Sequence, residues 1–88
     1  MKRQIWIYAF DAVFRVVKAY HLEGESITIR NMRATADWMR TTIPLNVTVY
    51  AVDNRKGLCK EFNEAMKSCD FTKQIEFADM ISKEGIPV

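Results

Sequence analysis

The sequence predicts a small α/β domain: a three-stranded sheet with its first strand central and helices covering it, in the order β-α-β-α-β-α-α. Three observations carry this. Residues 3–9 and 45–52 alternate side chains with the period of a strand. The segments after them repeat apolar residues every three to four positions, the period of a helix. Turn signals between segments are short, and strands alternating with helices favour right-handed crossovers. If residues 26–29 are not a strand, the class becomes α+β.

Residues 3–9 place Ile5, Ile7 and Ala9 on one face and Trp6 and Tyr8 on the other. Two apolar faces mark a strand covered on both sides. Asp11 is placed to cap a helix over 12–22, with Phe10, Val13, Phe14, Val17 and Tyr20 on one face and Gly24 as its stop. Ser26 to Ile29 is a short β-prone stretch. Asn31 or Thr28 caps a helix over 31–42 with the stripe Met32, Ala36, Met39, and Pro44 ends it. Residues 45–52 set Leu45, Val47, Val49 and Ala51 against Asn46, Thr48, Tyr50 and Val52. The more polar second face suggests a sheet edge. Asp53 or Asn54 caps a helix over 55–68 with Leu58, Phe62, Ala65 and Met66 inward. Asp70 or Thr72 caps a last helix reaching 84 with Phe71, Ile75, Ala78 and Ile81 inward, closed by Gly85 and Pro87.

The 88 residues form one expected domain, 1–88, of ordinary globular composition: 49% hydrophobic and 27% charged. That argues against disordered and low-complexity classes. The net charge of +2 is too small to imply nucleic acid by itself. Residues 1–44 hold seven basic and four acidic groups (+3), and residues 45–88 hold six and seven (−1). Cys59 and Cys69 match no zinc or redox spacing, which favours reduced, buried thiols. The apolar run Ile5–Phe10 is too short for a signal peptide and stops at Asp11, and no stretch has the ~20 apolar residues of a membrane span. The expected location is cytoplasmic.

A search for chemistry finds little. His21 is the single histidine, and the glycines at 24, 57 and 85 make no phosphate loop. No cofactor is implied. If the first and last strands are parallel neighbours, Asp11 and Asp53 follow their carboxyl ends and converge on a Mg²⁺ ion, with Lys56 near a phosphate. Asp is also a preferred helix cap at both places. Arg30, Arg33 and Arg40 fall within about 80° on the helix wheel, with Asp37 among them. Trp38 lies about 140° from the Met32/Ala36/Met39 stripe among small residues. Phe77 and Met80 similarly stand off the last helix's stripe. Trp and Arg are the side chains most enriched at interface hot spots.

The expected function is therefore a non-enzymatic protein-binding module, a regulator or inhibitor of a partner protein. Its partner-binding residues are Trp38, Arg30, Arg33, Arg40, Phe77 and Met80. Small accessory proteins of phages and mobile elements share this size and plainness. The alternatives are a nucleic-acid binder using Lys2, Arg3 and the three arginines, and a Mg²⁺-dependent phosphate-handling enzyme on Asp11 and Asp53. The uncharged strand 45–52 also suggests homo-oligomerisation by edge pairing.

Overall fold

A computed structural model describes residues 2–54 and 57–88. The chain is α+β. Its elements are β1 (Arg3–Phe10), β2 (Val16–Gly24), α1 (Ile29–Thr42), β3 (Thr48–Asp53), α2 (Leu58–Lys67), α3 (Phe71–Glu84) and β4 (Ile86–Pro87). The four strands form one sheet of order β2-β1-β3-β4, antiparallel at every pairing. β1 lies inside the sheet, as its two apolar faces imply. Ile5, Ile7 and Ala9 pack with Val49 and Ala51 under Met32, Ala36 and Met39 of α1. On the opposite face Tyr8, Phe10 and Val52 pack under Cys59 and Phe62 of α2 and Ala78 and Ile81 of α3. The sheet is thus covered on both sides, and its centre holds the core. Fully burying a side chain such as Phe10 or Ile7 stabilises the fold by roughly 1.5–3 kcal/mol.

The largest correction falls on 12–22, which is no helix. Asp11 caps a turn instead: its Oδ1 accepts the main-chain N–H groups of Val13 (3.1 Å) and Arg15 (2.9 Å). Phe14 takes the left-handed conformation, φ 62°. The chain then returns as β2, paired from Lys18 opposite Ala9 to Gly24 opposite Arg3, with a bulge at its start. The helical spacing of Phe10, Val13, Phe14 and Val17 is shared between a strand end, a turn and a second strand. The run Val16-Val17-Lys18-Ala19-Tyr20 carries two β-branched residues and an aromatic one, and it takes the strand its neighbour requires.

Residues 26–29 form no strand, because Thr28 begins α1 two residues early. Thr28 Oγ1 accepts the Asn31 N–H (3.3 Å) and Asn31 Oδ1 accepts the Thr28 N–H (3.0 Å), a reciprocal cap. Met32, Ala36 and Met39 are buried, as their stripe predicts. The third predicted strand is shorter, at 48–53, and it is not an open edge throughout. β4, absent from the sequence reading, pairs Tyr50 with Pro87 and Ala51 with Ile86. Gly85 permits that return: a Cβ there would sit 2.5 Å from the Ile81 oxygen and 3.3 Å from that of Ala51. Edge pairing of copies through 45–52 is therefore obstructed at Tyr50 and Ala51.

α2 starts from Gly57 at φ 69°, while Asn54 Oδ1 accepts the Cys59 N–H (3.2 Å). α3 is capped by Asp70, which accepts the Lys73 N–H (3.1 Å). Ala78 and Ile81 face the core as predicted, but Phe71 and Ile75 do not: they are 69% and 71% exposed. Phe77 turns inward instead and meets Phe62 edge-on, ring centroids 6.0 Å apart.

Candidate functional site

The antiparallel sheet dismantles the proposed metal pair. Ile5 lies opposite Asp53 and Phe10 opposite Thr48, so Asp11 and Asp53 sit at opposite ends of β1. Six strand residues separate those ends by about 20 Å. Asp53 Oδ2 is 3.5 Å from Arg3, and Asp11 Oδ2 is 3.2 Å from Arg15 Nε. The N–H groups of Arg15 and Val13 and the Arg15 charge hold the Asp11 carboxyl below the usual carboxylate range. Lys56 lies outside the described residues. Among the described residues no three His, Cys, Asp or Glu side chains cluster to hold a metal ion.

His21 is exposed on β2 and stacks on Trp6, centroids 4.7 Å apart. Cys59 is buried and Cys69 is exposed, both free, so the expectation of two buried thiols holds for Cys59 alone. Burial pushes the Cys59 thiol up, away from the reactive thiolate, and Asp53 adds to that rise.

The predicted partner-binding residues do not form one patch. Arg40 lies on the β3/β4 side of α1: it pairs with Asp37 (3.4 Å) and donates from Nη2 to the Val88 oxygen (2.9 Å). Trp38 lies on the β2 side, edge-on to Tyr20 with centroids 5.5 Å apart, and Lys18 Nζ sits 4.7 Å over its ring. These two flanks face opposite edges of the sheet. Arg30 and Arg33 are exposed on the helix surface. Trp38 is 46% exposed and, with Tyr20, Leu22, Ala34 and Thr35, lines a shallow groove of about 310 Å³. Phe77 and Met80 are half-buried.

A more enclosed groove of about 250 Å³, which the sequence pattern does not predict, lies between the β1–β2 turn and α3. The β1–β2 turn contributes Val13, Phe14 and Val16, and α3 contributes Phe71, Gln74 and Ile75. Phe62 and Ala78 form its floor. Phe14 is held in place by its ring, which lies on Phe10 with centroids 4.4 Å apart. Val13 is 68% exposed, so three large apolar side chains rim this one groove in water. One signal for it was present: Phe71 and Ile75, four apart, make a second apolar face beside the Phe77/Ala78/Ile81 face. A single core cannot cover both.

Comparisons with protein families, curated proteins and solved structures returned no match. No helix among the described residues is long and apolar enough to cross a membrane.

Proposed function

We propose that the chain is a non-enzymatic protein-binding module that regulates or inhibits a partner by covering part of its surface. One observation carries this reading: Val13, Phe71 and Ile75 rim a single apolar groove while 68–71% exposed. Exposed apolar clusters with polar surroundings mark interaction sites on soluble domains. Here Arg15 and Gln74 supply the polar rim. An apolar side chain of the partner, seated against Phe71 and Ile75, would dry the groove and act as the anchor.

The test is a pull-down from cell lysate using the wild-type chain, Phe71→Ser with Ile75→Ser, and Trp38→Ala, each with and without nuclease. A protein that survives nuclease, stays with Trp38→Ala and is lost from the Phe71/Ile75 variant supports the reading. The variant replaces exposed side chains, so its melting temperature should hold. Retention by that variant contradicts the reading. Capture that vanishes with nuclease moves the function to Arg30 and Arg33.

A further inference from the structure

β2 is the outer strand of the sheet, and no strand pairs with its far side among the described residues. Its row of N–H and C=O groups is open to another extended chain. The bulge disturbs only its start; from Lys18 to Gly24 the register against β1 is unbroken. The one lysine on the strand does not guard the edge, because its ammonium is drawn over the Trp38 ring. Val17 and Tyr20 are each 40% exposed, and the Tyr20/Leu22/Trp38 groove opens beside the strand.

The charges say what the edge fits. Arg15 and Lys18 stand at the start of this segment, Glu23 and Glu25 at its end, and Tyr20 at its midpoint. The Arg15 side chain is 76% exposed although its Nε holds Asp11. The charge run is therefore self-complementary when reversed. We propose that two copies of the chain pair antiparallel along β2 about a two-fold axis at Tyr20, extending the sheet across both. That register sets Arg15 of each strand opposite Glu25 of the other. It also gathers both Tyr20/Leu22/Trp38 grooves at the axis. A parallel pairing would set like charges together, which is destabilising. An antiparallel two-fold contact closes on itself and leaves no further edge of the same kind. This interface is separate from the Val13/Phe71/Ile75 groove.

Sedimentation of the full chain over a concentration series tests it, with Arg15→Glu, Glu25→Arg, the two combined, and Phe71→Ser. The wild type should reach dimer mass. Each single reversal should weaken the dimer several-fold, and the combined reversal should restore it. Phe71→Ser should leave it unchanged, and thermal melts should show every variant folded. A wild type monomeric to about 1 mM overturns the proposal. So does a dimer indifferent to both single reversals, or one abolished by Phe71→Ser.

Discussion

Phe14 lies flat on Phe10, ring centroids 4.4 Å and planes 4° apart, although Phe14 sits at φ 62°. A non-glycine residue in the left-handed region costs roughly 1–2 kcal/mol. The conformation persists because it swings the Phe14 ring onto Phe10, and Tyr50 meets both rings edge-on. The turn that displaces the predicted helix is thus fixed by Asp11 at its start and by Phe14 at its tip.

Phe14→Gly sets the two effects against each other. Glycine removes the backbone strain, but the stacked ring and its buried area are lost. An aromatic pair is worth about 0.5–1.5 kcal/mol beyond its area, and that area adds roughly 1–2 kcal/mol for a half-buried ring. The packing loss wins, so chemical denaturation should show a net destabilisation of about 1 kcal/mol. A stabilised Phe14→Gly would mean that the ring contributes little.

Asp11 makes the turn pH-sensitive. Its carboxyl is held below its ordinary range in the folded chain, first by the Arg15 N–H. A carboxylate depressed on folding contributes stability above its unfolded pKa, and that stability is lost as pH falls through the folded value. Melting temperature should therefore fall on acidification below the usual carboxylate range. Asp11→Asn should flatten that part of the profile and lower stability at neutral pH. An unchanged acid limb in Asp11→Asn would remove the turn from the acid response.

Tyr8 governs the alkaline side. Its side chain is fully buried, and its hydroxyl donates to Asn63 Oδ1 (3.2 Å). Burial, reinforced by Cys59, raises the phenol far above the ordinary tyrosine range. The folded chain keeps that proton. The associated stability is complete below the unfolded pKa and is lost as pH rises above it. Phenolate absorbance from Tyr8 should appear only together with unfolding. Tyr8→Phe should lose about 1 kcal/mol at neutral pH and soften the alkaline unfolding limb. Reversible Tyr8 ionisation in the folded chain would contradict its burial.

The legible parts of this fold are those whose pattern has one solution. β1 carries apolar residues on both faces, so it belongs inside a sheet. Met32, Ala36 and Met39 define a single stripe on α1, and Thr28 and Asp70 cap their helices by short-range chemistry. The misread parts each have two solutions. Val13, Phe14 and Val17 fit a helix wheel and a hairpin equally, and only β1's need for a neighbour selects the hairpin. Phe71/Ile75 and Phe77/Ala78/Ile81 are both apolar faces of α3, and contact with Phe62 decides which is buried. β4 is two residues long and has no periodicity to read. Trp38 is visible as an outlier on its helix, but its partner Tyr20 is not, because the spacing over 12–22 places Tyr20 on a helix.

On the proposed function, the groove between the β1–β2 turn and α3 receives a protein partner. A photo-crosslinking amino acid placed at Ile75, with a control at Arg30 on α1, tests it most directly in cells. One discrete protein adduct is expected from position 75, absent from position 30 and lost when Val13→Ser and Phe71→Ser are added. No adduct from position 75, or the same adduct from both positions, would contradict it.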